Sequence, residues 1–390
     1  MISRFDFDSI VDRRNSGSYK WDDHSGDADD MIQLWVADMD FRTAPAIIEA
    51  LRKRVDHGVF GYTFVTDKYY ASLIDWFERR HNYLIDRSKV IYTSGVVPAM
   101  SAIIKALTVP GDGVILNTPA YNCFFSSIRN NVCRIVESPL RRINLDASEF
   151  TYEIDFGSLE SLAAMPDNKL FILCNPHNPT GRVWRREELD RIAEICRRNG
   201  VRVISDEIHC ELTLPGVDYL PYGNIDDRAV ICNAPSKAFN TAGLQIANIV
   251  CPDSETRAKI DKAININEVC DVNPFGVAGL IAAYNHGEEW LDELRVYLNG
   301  NYQLIKSFFA EHLPAYPIAR LEATYLAWVD ITSSKSDADV IEQLLAEKAH
   351  VRVASGSIYG DKRYVRINFA TPRAVILDAL NRIEPILNSL

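Results

Sequence analysis

The 390-residue sequence predicts an α/β fold: a largely parallel sheet between helices, followed by a smaller α+β unit. Three observations predict it. From Val90 onward, short apolar runs alternate with segments of helical periodicity. Polar residues able to do chemistry recur just beyond the ends of those runs. After about residue 285 the alternation gives way to one long helix and isolated strands.

The elements follow in order. Residues 1–30 are polar, with Asp12-Arg13-Arg14 and Trp21-Asp22-Asp23, and read as an arm rather than a packed element. Leu34 to Phe41 is turn-rich. Pro45 opens a helix with Ile47, Ile48 and Leu51 on its apolar side. Phe60-Gly61-Tyr62-Thr63 is an aromatic-glycine turn, and a second helix carries Tyr69, Leu73, Trp76 and Phe77 at helical spacing. Val90–Thr93 is a strand, Ser94 to Pro98 a turn and Ala99–Leu107 a helix. Gly113–Asn117 and Lys169–Cys174 are strands, the latter closed by Asn175-Pro176-His177-Asn178-Pro179-Thr180-Gly181. Glu187–Asn199 is amphipathic and stopped by Gly200. Val201–Ser205 leads to Asp206, Ala229–Cys232 leads to Lys237, and Gln245–Val250 is a further apolar strand. The C-terminal unit has a helix from Trp290 to His312, a strand over Ala323–Asp330, a helix over Ala338–Lys348 and a strand over Tyr364–Phe369.

Strands alternating with helices imply right-handed crossovers and parallel pairing. Ligands of such sheets bind beyond the carboxyl ends of the strands. Ser94, Tyr121, Asn178, Asp206 and Lys237 all lie there. Lys237 follows a buried run and has small and apolar neighbours, where desolvation lowers an amine's pKa and makes it nucleophilic toward an aldehyde. On its own segment it reads more readily as a surface lysine at a strand end.

Composition narrows the function. Hydrophobic content is 47% and charged content 24%, ordinary for a globular protein. The net charge of -11 disfavours nucleic acid and anionic membranes as partners. No apolar stretch has the length of a membrane span, and Met1 to Asp6 has no signal-peptide core, so a cytoplasmic location is expected. None of the eight cysteines, Cys270 among them, forms a C-x-x-C pair, and no metal site is expected.

Asp206 and Lys237, preceded by Asn-Pro-x-Asn-Pro-Thr-Gly, resemble the fold-type I pyridoxal-phosphate enzymes, the aspartate aminotransferase superfamily, along nearly the whole chain. Leu34–Phe41 (Leu-Trp-Val-Ala-Asp-Met-Asp-Phe), Phe60-Gly61-Tyr62 and Ile204–His209 are similar to its cystathionine β-lyase, or cysteine C–S lyase, branch. The resemblance implies a mostly parallel seven-stranded sheet in a large domain over 48–284. A small domain would take 285–390, with the arm 1–47 partly joined to it.

It also implies roles. Pyridoxal 5'-phosphate would be carried on Lys237, which also serves as the general base at Cα. Asp206 would pair with the pyridine nitrogen. Asn178 would hydrogen-bond the ring oxygen, with His209 nearby where many relatives have tyrosine; His209 reads as well as a buried structural histidine. Tyr121 would stack on the ring or simply pack in the core. Gly95, Val96 and Val97, at a helix N-terminus, and Ser236 would hold the phosphate. Ala234 and Gln245 stand where many relatives have a hydroxyl and an arginine, so Tyr62 from a neighbouring subunit would help there, making a homodimer necessary. Arg366 would clamp the α-carboxylate of a small amino-acid substrate beside Trp35, Val36 and Ala37. Arg373 reads as surface charge.

The reaction implied is α,β-elimination from cystathionine or another S-substituted cysteine, giving a thiol, pyruvate and ammonia. The same residues would also serve an aminotransferase. A regulatory protein acting through a protein partner is the third reading; fused regulators of the superfamily carry a DNA-binding domain ahead of the catalytic part, and here 44 residues, too few for a domain of usual size, precede Pro45.

Overall fold

A computed structural model describes residues 4–23, 28–266, 268 and 272–390; Cys270 and Met1–Ser3 lie outside them. Its centre is a seven-stranded sheet. In spatial order the strands are Val90–Thr93, Ala247–Val250, Val230–Asn233, Arg202–Asp206, Asn168–Cys174, Gly113–Thr118 and Arg134–Pro139. Ala247–Val250 runs antiparallel to both neighbours, and the remaining pairings are parallel, which matches the expected fold class.

The strands are apolar on both faces because helices cover both. Alternate residues divide between two clusters. Val114, Leu116, Leu170 and Ile172 pack with Ile103 and Ile104 of the helix Val96–Leu107 and with Ile260. Ile115, Phe171 and Leu173 pack with Leu189 and Ile192 of the helix Arg186–Arg198. Such burial on two sides leaves the carboxyl ends of the strands as the place where polar loops can gather.

A second sheet has six strands in the order Ala354–Ser355, Tyr364–Asn368, Leu326–Asp330, Ile318–Ala319, Glu149–Glu153 and Arg141–Asn144. The last two come from the chain just after Arg134–Pro139 and join through parallel pairing of Ile318 with Glu149. Arg141–Asn144 carries little apolar alternation; Glu149–Glu153 alternates Phe150 and Tyr152 with polar residues, and neither was among the expected strands. Arg366 lies opposite Trp328 on this sheet.

Three local features depart from the sequence expectation. The helix after Val90–Thr93 starts at Val96 instead of Ala99, with Gly95 as its N-cap residue, so the expected turn is its first turn. Gln245 has φ +52° and ends a short 3-10 turn, so the strand begins at Ala247. Thr324 has φ +79°, and the strand expected from Ala323 begins at Leu326.

The N-terminal arm is packed. Phe7 is 2% exposed, and its ring lies 5.4 Å from that of Phe41 and 5.7 Å from that of Trp290. Lys20 is 1% exposed and donates to Asp40 Oδ2 at 2.9 Å. Arg13 donates to Asp38 Oδ2 at 2.6 Å and to Asp40 Oδ1 at 2.8 Å. Of the charges that suggested a solvated arm, Arg13 pairs inward, whereas Asp12, Arg14, Asp22 and Asp23 are exposed. Among the described residues no helix is long and apolar enough to cross a membrane.

Candidate active site

The parallel strands deliver their carboxyl-end loops to one cavity of about 200 Å³. Asp206 closes its strand and is 4% exposed. Its Oδ1 accepts from Ile208 N at 3.1 Å. Burial raises its pKa to about 6, against the opposing pull of that amide and of Lys237. Lys237 stands in the loop after Val230–Asn233. Desolvation lowers its pKa, and the Asp38 carboxylate opposes the shift. Its Nζ donates to Ala37 O at 2.7 Å.

His209 lies three residues past Asp206, at the start of a 3-10 turn, and is 2% exposed. Burial, with the charges of Lys237 and Arg366, pushes its pKa down to about 3, so the imidazole is neutral. Its Nδ1 has no hydrogen-bond partner among the described residues. The acids flanking it point away into the protein. Glu207 accepts from Ser205 Oγ, Tyr219 OH and Tyr222 N. Glu211 accepts from Trp76 Nε1 and pairs with Arg80 and His81. These anchors fix the turn that presents Asp206 and His209.

The opposite wall is the first turn of the helix Val96–Leu107, with Gly95, Val96 and Val97 lining the cavity. Helix N-termini offer unsatisfied N–H groups and a positive dipole end. Ser236 also lines the cavity, as does Tyr121, whose hydroxyl pKa burial raises strongly. Asn178, 3% exposed, accepts from Arg366 Nη1 at 3.1 Å.

Arg366 is 3% exposed. Its Nη2 donates to Trp35 O at 3.0 Å, its guanidinium lies 4.5 Å from the Tyr359 ring centre, and its Nε is buried without a partner. The strap Trp35–Met39 thus meets both the lysine and the arginine. Asn368 Nδ2 holds Val36 O at 2.5 Å and Asp38 O at 2.6 Å. Asn240 exchanges hydrogen bonds with the backbone of Met39.

The fold therefore brings together Lys237, Asp206, His209, Asn178, Tyr121, Ser236, Gly95, Val96, Val97 and Ala37, with Arg366, Trp35 and Val36 around the strap. It does not bring Tyr62 to the cavity within one chain: Tyr62 is 96% exposed. Sequence reasoning missed Tyr325, Asn368, Asn240, Arg13 and Lys20. Only Asn240, three residues past Lys237, had a local signal.

Residues 29–383 match the family of class I and II aminotransferases, and the chain belongs to that family. Within it, the sequence is 38% identical over 392 residues to "Cystathionine beta-lyase PatB" of Bacillus subtilis (strain 168), covering 98% of this chain and 100% of that protein. It is 35% identical to "Protein MalY" of Escherichia coli (strain K12), covering 95% of each. The crystal structure of cystalysin from Treponema denticola, which contains a pyridoxal 5'-phosphate cofactor, superposes with a TM-score of 0.94 at 34% identity, covering 99% of each chain.

Proposed function

We infer that this protein is a pyridoxal-phosphate-dependent C–S β-lyase that cleaves L-cystathionine or related S-substituted cysteines to a thiol, pyruvate and ammonia. The observation that carries the reading is the single cavity in which Lys237, Asp206 and neutral His209 face the strap beside Arg366. The name of a full-length relative, cystathionine beta-lyase, supports the same class.

The residues present fit the cofactor. The unpartnered His209 Nδ1 and the buried Asp206 are unusual in a purely structural pocket, since buried polar groups normally find partners. Lys237 would hold the cofactor through Nζ, Asp206 would face its pyridine nitrogen, and Asn178 and His209 would meet its ring oxygen. The amides of Gly95, Val96 and Val97 with the Ser236 hydroxyl would take its phosphate, and Tyr121 would lie against its ring. When bound, it supplies an electron sink that makes the substrate's Cα proton acidic.

The chain's own residues do the rest. Arg366 binds the α-carboxylate with a fork that keeps Nε available. Lys237 Nζ, freed once the substrate's amino group takes its place and with its pKa lowered by burial, takes the Cα proton. The strap, held by Asn368 and Asn240, shields that proton transfer from water. Loss of a thiolate from Cβ completes the elimination.

The site is completed by a second copy in this reading. Val59, Phe60, Tyr62 and Phe64 are 62%, 57%, 96% and 76% exposed, an apolar run that isolated proteins rarely present. Tyr62 would reach the phosphate end of the partner's cavity, where Ala234 and Gln245 supply neither hydroxyl nor charge. The unpaired cysteines Cys123, Cys133, Cys174, Cys196, Cys210, Cys232 and Cys251 accord with a reducing, cytoplasmic setting. Pure protein should release pyruvate from L-cystathionine without an added 2-oxo acid. Glutamate formation that depends on 2-oxoglutarate, with no pyruvate, would instead make it an aminotransferase.

A further inference from the structure

In the strap, carbonyls alternate in direction. Those of Val36 and Asp38 both accept from the single amide of Asn368, and the one between them, Ala37, accepts from Lys237 and Tyr325. Lys237 Nζ lies 2.7 Å and Tyr325 OH 2.9 Å from Ala37 O. Two donors therefore converge on one backbone oxygen, and one of them is the amine the proposed chemistry needs.

Tyr325 is fully buried, with 0% exposure. It is aimed by an unusual backbone. Thr324 has φ +79°, a region β-branched residues rarely adopt. That conformation is pinned by Thr324 N donating to Leu212 O at 2.9 Å and by Leu326 N donating to Thr324 Oγ1 at 3.2 Å. The ring meets His209 edge to face, with centroids 6.3 Å apart. Strain held at a residue beside a site is commonly retained for the geometry it gives. Here it sends one hydroxyl across from the second sheet to the strap.

We propose that Tyr325 is a positioning residue for proton transfer: its hydroxyl fixes the Ala37 carbonyl, and that carbonyl orients the Lys237 amine toward the substrate's Cα. This rests on the lyase reading for the identity of the base. Tyr325 exchanges no proton. The proton moves from Cα to Lys237 Nζ, whose lone pair receives it while another of its hydrogens stays on Ala37 O. An amine held at one acceptor has a defined lone-pair direction, and a general base works only within hydrogen-bond reach and line of its proton.

The test is Tyr325→Phe, which keeps the ring and removes only the hydroxyl. Loss of one hydrogen bond's worth of orientation lowers kcat for L-cystathionine by about tenfold. KM stays within about twofold, because Arg366 and its partners are untouched. Because only proton removal is slowed, the kinetic isotope effect with α-deuterated substrate rises above that of the parent enzyme. Acetic anhydride labelling of Lys237 in the full-length, cofactor-free chain, read by peptide mass, increases as the amine loses its fixed acceptor. Tyr69→Phe is the control: it removes another buried hydroxyl, bonded to Asn248 Oδ1 at 2.6 Å, and lowers the melting temperature without raising the isotope effect. Unchanged isotope effect and labelling in Tyr325→Phe overturn the proposal, even where kcat falls. A parent enzyme that makes no pyruvate overturns the lyase reading instead, and the labelling comparison then decides the role of Tyr325 by itself.

Discussion

Asp206, His209 and Lys237 reach the cavity from the ends of neighbouring parallel strands, whereas Arg366, Tyr325 and the Trp35–Met39 strap reach it through contacts between chain segments some two to three hundred residues apart. In the first group, position follows from local chain path: each residue lies at or just past a buried strand. In the second, position depends on side chains holding backbone carbonyls, as Asn368 holds Val36 and Asp38. In the proposed mechanism the strand-end group carries the chemistry, and the strap group carries the geometry of the substrate. Mutations in the two should therefore fail differently.

The largest effect is expected at Lys237. On the proposed roles, Lys237→Ala would remove both the base and the cofactor's attachment point, and pyruvate formation should fall by at least about 10³-fold whichever thioether is supplied. A variant retaining a tenth of the activity would break the division, because the chemistry would then lie elsewhere.

Next is Lys20, beneath the strap. Lys20→Met leaves the Asp40 carboxylate, 4% exposed, without the cation 2.9 Å away. Arg13 still pairs with Asp40 at 2.8 Å, so what is lost is one charge-assisted hydrogen bond, about 1.5–3 kcal/mol, and the loss should be visible in denaturant unfolding. A cost no larger than that of an exposed pair would show that the arm contributes little to holding the strap.

Arg366→Lys comes third. A lysine cannot reproduce the contacts to Trp35 O and Asn178 Oδ1 together with a carboxylate fork. KM should rise by about 10- to 100-fold, with the visible absorbance unchanged. A fall in kcat at constant KM would assign Arg366 to the chemical group instead.

The smallest effect concerns the anchor behind Asp206. Glu207 is fully buried, and burial raises its pKa from 4.5 to about 7. A carboxyl with a raised folded pKa binds more protons folded than unfolded between those values, so its contribution to stability declines as pH rises from about 4.5 through about 7. Glu207→Gln should flatten that decline in cofactor-free protein, by a few kcal/mol at most across the window. An unchanged slope would remove Glu207 from the account.

The same division explains what the sequence disclosed. Asp206 is legible because an apolar run ending in one polar residue is a local pattern, and six strands of the large sheet show such runs. Arg134–Pro139 does not, and Lys237, whose own segment suits a surface lysine better, is singled out only by the family resemblance. The packed arm was not: Lys20, Arg13 and Asp40 read as solvated charges until tertiary structure pairs them. Tyr325 lay within an expected strand from Ala323, and nothing local announces the positive φ of Thr324 that turns it toward the strap. Arg141–Asn144 offers a single apolar residue and so no period of two, whereas Glu149–Glu153 alternates Phe150 and Tyr152 with polar residues but is too short to stand out. Contacts that depend on distant partners are invisible to patterns read along a chain.

The claim on which the others rest is that Lys237 carries the cofactor. Borohydride reduction of the coloured protein, followed by peptide mapping, tests it directly. The account predicts a single pyridoxyl label on the peptide containing Ser236-Lys237, with loss of visible absorbance in proportion. A label on any other lysine would contradict it.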